Sequence, residues 1–249
     1  MGSSALVYKA FLRMGLGGGV HREILPVLMI LLMFAIAAFS EPRVQANSEG
    51  QIISHWNFDG KANGWINKTV GVYLLPAITL FFYLFFMLIP RLDVYKKNLK
   101  HFSEHFWGFK VVFVFVMMAI FVATLLPNLG YYQFDPLLIL LPAVALIFFY
   151  VGHMLSFTKR NYFIGVRTPW TLASEEVWEK TNKLASKLFW VAGVLIFVTL
   201  IAPSDMRLWI VLLPLVLIVI GTYVYSLLEY KKIMRGEKSP GKGKKKGKK

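Results

Sequence analysis

The sequence predicts an all-α, polytopic integral membrane protein with about six transmembrane helices and with both chain ends in the cytoplasm. Three observations lead to this prediction. Hydrophobic residues make up 57% of the 249-residue chain and charged residues only 16%, a balance outside the range of soluble globular domains. Six apolar stretches alternate with polar segments, and nearly all Lys and Arg residues fall in every second segment.

The apolar stretches approach or reach the length of about 20 residues that a helix needs to cross a bilayer. The third and the fifth are short, and we expect the aromatic residues Trp107 and Trp190 to extend them. The six stretches cover residues 24–39, 70–89, 111–126, 137–157, 188–202 and 208–228.

The distribution of positive charge predicts the orientation. The two ends and the second and fourth connecting loops hold 24 of the 28 Lys and Arg residues, and short positively charged loops stay in the cytoplasm. Both ends are then inside, which requires an even number of spans. One alternative stays open, because a basic start before an apolar run ending "AIAAFS" also resembles a cleavable signal peptide. Cleavage would leave five helices and an outside N-terminus.

The last segment is strongly basic. Residues 231–249 contain ten of the 28 Lys and Arg residues and almost no apolar residue, so we expect a disordered tail. A basic run beside a membrane is typical of a topology signal or of a contact with anionic lipid headgroups. Direct binding of nucleic acid is not expected.

The loop between the first two spans, "ISHWNFDGKANGWINK", has an unusual composition for a connector. "NFDG" and "ANGW" each predict a tight turn, because Asn, Asp and Gly tolerate turn geometry. The tryptophans either lie in the lipid headgroup layer or belong to a small folded cap that faces a ligand. His55 and Asp59 are too few to predict a metal site. The candidate ligand-contacting residues are His55, Trp56, Asn57, Asp59, Gly64 and Trp65.

The loop between the fourth and fifth spans divides into two parts. In "RNYFIGVRTPW", Gly165 interrupts the apolar run and Pro169 biases Thr168 toward an extended backbone. "SEEVWEKTNKLASKLFW" predicts a helix that Ser174 caps and that runs into the fifth span. This helix is either an interfacial one anchored by Trp178 or, together with the Arg-rich turn, a docking surface for a partner.

The acidic and basic residues of the predicted helix support it. Glu176 and Lys180, and likewise Glu179 and Lys183, are spaced for ion pairs one turn apart. A stripe of Val177, Thr181, Leu184 and Leu188 gives the helix one apolar face.

The run "RNYFIGVRTPWTLASEEVWEKTNKLASKLF" closely resembles the signature of the SdpI family, bacterial immunity proteins named for a sporulation-delaying toxin. The segments "ILPVLMILLMFAIAAF", "ISHWNFDGKANGW" and "LLPAITLFFYLFFMLIPRLD" resemble a small membrane domain of unknown function that often precedes that signature. The two resemblances together span residues 24–228.

The family resemblance implies a membrane protein that protects its host from a secreted, membrane-active peptide toxin. It also implies that such a protein can relay the presence of toxin by holding a transcriptional repressor at the membrane. No catalytic residue follows from the resemblance. The candidate partner-binding residues in the matching block are Asn161, Gly165, Arg167, Thr168, Pro169, Trp170, Glu176 and Trp178.

The resemblance suggests four parts of the chain. These are a cytoplasmic N-terminus (1–23), an N-terminal membrane domain of two spans with the aromatic loop (24–105), an SdpI-like domain of four spans (106–230) and the basic tail (231–249). Two features depart from the family pattern, the Lys and Gly tail and the insert "SEPRVQANSEGQ".

Enzymatic function is not expected. The chain has no cysteine, which excludes disulfides, thiolate metal sites and Cys nucleophiles, and no cofactor is implied. The sequence offers no paired carboxylates, His cluster or Ser with a base at workable spacing.

The alternative function is transport of a small molecule or ion. His153 could relay protons, although a hydrogen bond to a neighbouring helix or a position at the interface is the more common role. Pro76, Pro142 and Pro214 could kink helices around a cavity.

Overall fold

The computed structural model describes residues 21–131 and 134–236, and helices dominate this part of the chain. Six of its helices are long and apolar enough to cross a membrane, so the predicted number of spans is confirmed. They are α1 (His21–Ser40), α2 (Lys68–Leu92), α4 (Ser103–Asn128), α5 (Leu137–Leu155), α7 (Glu175–Val198) and α8 (Ser204–Met234). Two short helices, α3 (Lys96–His101) and α6 (Pro169–Ala173), lie in connections, and a 3₁₀ turn (Glu41–Arg43) follows α1.

The two stretches that were short in the sequence are long helices in the structure. Helix α4 begins before Trp107, and α7 is continuous from the Ser174 cap through Trp190. The prediction that the charged helix runs into the fifth span is confirmed. Helix α8 extends to Met234, so the first residues of the predicted tail are helical, whereas 237–249 and the N-terminal residues 1–20 lie outside the described part.

The spanning helices form an open arc. Helices α1, α2 and α4 pack against one another, α4 packs on α5, α5 on α7, and α7 on α8. Helices α2 and α8 stand at the two sides of the arc and do not pack together. We call the end with residues 93–102 and 156–174 the loop end and the opposite end the hairpin end.

A β-hairpin covers the hairpin end and is a feature that the all-helical prediction did not include. Strand β1 (Gln51–Trp56) pairs antiparallel with β2 (Ala62–Asn67). The predicted "NFDG" turn is confirmed, since Gly60 N donates to Asn57 O at 3.0 Å. The predicted "ANGW" turn is wrong, because these residues lie in β2. Gly64 is opposite His55 at a register irregularity, where a Cβ would lie 2.9 Å from the His55 Cβ.

Polar side chains fix the hairpin to the helices. Asn128, at the end of α4, donates to Ile53 O at 2.8 Å and accepts from Ile53 N at 2.9 Å, which mimics a backbone strand pairing. Arg207, in the first turn of α8, donates to Phe58 O at 3.0 Å. An apolar cluster that includes Ile52 and Phe121 lies beneath. The hairpin is therefore tied to both α4 and α8.

A buried ion pair joins three helices near the loop end. Glu23 of α1 accepts from the Lys110 ammonium of α4 and from the Tyr83 hydroxyl of α2, the latter at 2.7 Å. The side chains of Lys110 and Glu23 are only 3% and 6% exposed. Lys110 lies just before the predicted apolar stretch 111–126, but α4 begins seven residues earlier, so the ion pair belongs to the helix bundle.

Candidate functional site

The segment from Ser156 to Thr168, which we call the motif loop, is organised around Asn161. Its side chain is fully buried and makes four hydrogen bonds to the loop backbone. Asn161 Nδ2 donates to Lys159 O and Ile164 O, both at 2.8 Å. Asn161 Oδ1 accepts from Phe163 N at 2.8 Å and from Ile164 N at 2.7 Å. Because the carboxamide has no bonding capacity or surface left for a partner, Asn161 shapes the loop from within.

Gly165 allows the motif loop to rest on α7. Its φ of +121° lies in a region that side chains rarely adopt, and a Cβ there would be 2.7 Å from Asn182 Oδ1 and 3.0 Å from the Trp178 ring. The same Asn182 Oδ1 accepts from Val166 N at 2.9 Å. Gly165, which interrupts the apolar run in the sequence, is thus the position at which the motif loop closely approaches α7.

Trp178 lies beneath the motif loop. It is fully buried, and its indole N–H donates to Thr158 O at 3.0 Å. The interpretation of Trp178 as an interfacial anchor is therefore wrong, because the ring touches neither solvent nor the outside of the bundle. Val177 and Thr181 are buried beside it, as the predicted stripe requires.

Thr168 connects the motif loop to α8. It caps α6 by accepting from Thr171 N at 3.2 Å, and Pro169 follows at the first helical position. The Thr168 hydroxyl then donates to the Ser226 hydroxyl of α8 at 3.0 Å. Beside this bond the Trp170 ring packs edge-on against Tyr223, with ring centres 5.0 Å apart. The Thr-Pro-Trp sequence therefore attaches α6 to the last spanning helix.

The connection after α2 completes the site, and sequence reasoning assigned it no role. Asp93, fully buried, accepts from Tyr95 N at 2.6 Å and from Tyr162 N at 2.8 Å. Tyr95 and Tyr162 stack with ring centres 5.4 Å apart, and the Arg160 guanidinium lies 5.2 Å from the Tyr95 ring centre. Asn98 donates to Arg160 O at 2.7 Å. The sequence did contain one signal for this role, because Asp93 is an acidic residue directly after a span. No local spacing, however, links Asp93 to a loop 69 residues later.

Charged side chains bind α7 to its neighbours at the loop end. Lys180 pairs with Glu176 at 3.1 Å, as predicted, and with Glu229 of α8 at 2.8 Å. Glu179 pairs with Lys159 rather than with the predicted Lys183, and this hydrogen bond raises the pKa of Lys159 above its usual value. These partly exposed pairs add specificity to the packing more than stability.

Arg167 is the exposed cation of the site. Its guanidinium donates to Tyr162 O and takes part in none of the ion pairs between described residues. Tyr162 and Pro169 are exposed with it, whereas Thr168 and Trp178 are buried. Of the predicted partner-binding residues, Arg167, Pro169 and the partly buried Trp170 and Glu176 are therefore accessible, and the others position the motif loop.

The hairpin carries the second set of predicted residues. His55 Nδ1 lies at 2.5 Å from Asn63 Oδ1, and Asn57 Oδ1 accepts from Asp59 N and Lys61 N at 3.0 and 2.9 Å. The Asp59 carboxylate accepts from Asn57 Nδ2 at 3.3 Å, so the side chains of His55 and Asp59 have separate partners. No group of three or more His, Asp or Glu residues that could hold a metal occurs in the described ranges. Trp65 is 52% exposed and Trp56 is half-buried.

His153 lies among aromatic rings rather than in a polar path. Its ring centre is 5.1 Å from that of His105 on α4 and 5.1 Å from that of Phe157, and His105 stacks on Phe157 at 3.9 Å. Of the two roles expected for His153, the hydrogen bond to another helix is replaced by ring packing, and the position at the interface stays a prediction.

Comparison with known proteins connects this geometry to a family. Residues 158–226, which contain most of the motif loop, α6, α7 and most of α8, match the model of the SdpI/YfhL protein family. The chain is 28% identical to the immunity protein SdpI of Bacillus subtilis (strain 168) over 166 residues, which is 66% of this chain and 75% of that protein. No solved structure matches the chain. The resemblance of residues 158–226 to the SdpI family is therefore confirmed, and the resemblance of the N-terminal segments to a second membrane domain stays a prediction.

Proposed function

We propose that the protein is a membrane immunity protein, which protects its host from a secreted peptide toxin and relays the toxin's presence to a cytoplasmic transcriptional regulator. The likeness to the immunity protein SdpI supports the first part. The residues that the motif loop exposes, Tyr162 and Arg167, together with Pro169 directly after it, support the second. The proposed role needs binding and a conformational response, and no chemical step.

The proposed relay requires a fixed orientation. The excess of Lys and Arg in these segments favours an orientation with the loop end in the cytoplasm and the hairpin outside. The hairpin, with Trp65 and His55 at its surface, then faces the side from which a secreted toxin arrives. Aromatic side chains that are exposed on a strand suit recognition of an apolar peptide.

The single observation that supports the proposed relay is that α8 contacts both candidate sites, the hairpin and the motif loop. At one end Arg207 donates to Phe58 O in the hairpin turn, at 3.0 Å. At the other end Ser226 accepts from Thr168, and Glu229 pairs with Lys180. Helix α8, which runs continuously over 31 residues and includes Pro214, joins the two contacts, and we propose that it transmits a shift from the hairpin to the motif loop.

The test is a survival assay in a toxin-sensitive bacterium challenged with the sporulation-delaying peptide. Expression of the wild type should allow growth. Arg207→Gln and Ser226→Ala, each of which removes one contact of α8, should reduce survival at equal membrane abundance. Leu217→Ala is the matched control, because Leu217 lies on α8 and is 66% exposed. If cells that express the wild-type protein remained sensitive to the peptide, the immunity role would be overturned. Full protection by both variants would overturn the relay through α8.

A second experiment tests the regulator. A photo-crosslinking residue in place of Tyr162, which is exposed in the motif loop, should capture a soluble protein in a toxin-dependent manner. The same substitution at Trp190, 47% exposed on the spanning helix α7, should capture none. Equal capture with and without toxin would exclude signalling through this surface.

A further inference from the structure

A large apolar cleft lies directly beneath the motif loop. Its volume is about 630 Å³, within the range of ligand sites of roughly 300–1,000 Å³. Helices α2, α4, α5, α7 and α8 form the walls, and residues 163–168 form the roof. The walls are aromatic and aliphatic, and include Phe86, Ile89, Phe106, Phe109, Met154 and Phe189.

The cleft opens sideways, between α2 and α8. These two helices line it but do not pack together. The lining residues Phe85 on α2 and Val219 and Tyr223 on α8 are 38%, 67% and 51% exposed, so the opening is on their side. All three belong to helices long and apolar enough to span a membrane, so the space between them lies on the lateral surface of the helix bundle. An apolar space of this kind is occupied more favourably by hydrocarbon than by water.

Positive charge stands at the roof of the cleft. Arg167 lines it and is exposed, and its guanidinium has no carboxylate partner among the described residues. One of its five N–H groups is used by Tyr162 O, which leaves donors for an anion. A guanidinium binds the oxygens of a phosphate well because its planar fork matches their spacing. A cation above a hydrocarbon-lined space has the charge and polarity pattern of an anionic phospholipid.

We propose that this cleft binds one acyl chain of an anionic glycerophospholipid, whose phosphate lies against Arg167. The acyl chain of the lipid enters between α2 and α8 and contacts the underside of the motif loop at Phe163 and Val166. The bound lipid fills the space on which the loop rests and so holds its conformation. This proposal is independent of the immunity function, since it requires neither a toxin nor a regulator.

The experiment measures the lipid that the purified protein retains. The full-length protein is exchanged into detergent, supplied with phosphatidylglycerol or phosphatidylcholine, washed, and examined by native mass spectrometry. The wild type should retain one phosphatidylglycerol in preference to phosphatidylcholine. Thr222→Phe, which places a ring in the cleft, should lose that lipid. Val224→Phe is the matched control, because Val224 is 45% exposed on the same helix and does not line the cleft.

Two further variants keep the test decisive. Val219→Trp narrows the mouth from an exposed position and should also lose the lipid, so that a folding failure of Thr222→Phe would not end the test. Arg167→Gln should keep a lipid but lower the preference for the anionic one by about fivefold. Equal retention of both lipids by the wild type, or unchanged retention in Thr222→Phe and Val219→Trp, would overturn the proposal.

Discussion

The motif loop and the hairpin turn are each organised by an asparagine, and the two asparagines differ in their surroundings. Asn161 is fully buried and saturated by four backbone hydrogen bonds, and Gly165 of the same loop lies against Trp178. Asn57 is half-buried, and its carboxamide accepts from two backbone N–H groups in a turn at the protein surface. The motif loop therefore depends on its side chains for its shape, whereas the hairpin depends chiefly on strand pairing and on two tethers.

The largest effect is expected at Gly165. Gly165→Ala forces a side chain into a backbone region with φ of +121° and against Asn182, so we expect a loss of about 4 kcal/mol in the free energy of unfolding. Gly221→Ala is the control, because Gly221 is helical and has no atom within 4 Å of an added Cβ. Thermal unfolding in detergent measures the stability of both variants. Equal stability of the two variants would show that the motif loop is not packed as described.

The two asparagines provide the direct comparison. Asn161→Ala leaves the partly buried amide of Phe163 and the buried amide of Ile164 without acceptors, and should lower stability by about 3 kcal/mol. Asn57→Ala should cost about 1 kcal/mol, because water replaces the lost acceptor near the surface. The free energies of unfolding of both variants, measured under the same conditions, give the difference in stability between them. If Asn57→Ala were the more damaging, the hairpin rather than the loop would be the rigid element.

Arg207 tests whether the hairpin is tied to α8. Arg207→Gln removes the charged donor to Phe58 O and should cost about 1 kcal/mol. Hydrogen exchange should become faster in residues 51–67 and stay unchanged in the motif loop. Faster exchange in the loop would show mechanical coupling already in the absence of toxin.

The smallest effect on stability is expected at Arg167. Its guanidinium is exposed and contacts one backbone carbonyl, so Arg167→Ala should change the free energy of unfolding by less than about 0.5 kcal/mol. Protection in the survival assay should nevertheless be lost. Arg91→Ala, which removes another exposed cation at the loop end, should retain protection. Instability of Arg167→Ala would assign the residue to the scaffold instead.

Local signals in the sequence predicted a good part of the site. Glycine in an apolar run, proline after threonine, and a serine before two acids each constrain the next few residues, and all three features mark the loop and helix that form. Local signals did not distinguish a residue that faces a partner from one that faces the interior. Trp178 and Arg167 both fit an interface composition, and only packing shows that one is buried and the other exposed.

The sequence by itself determined the helical membrane fold and its six spans, because hydropathy acts on each segment separately. Tertiary structure decided which distant groups meet. Glu23 reaches Lys110 across 87 residues, and Asp93 reaches the motif loop across 69. Periodicity and capping act over a few residues and carry no information on such pairs. The buried ion pair, the apolar cleft and the contact of α8 with both ends all depend on how the helices assemble.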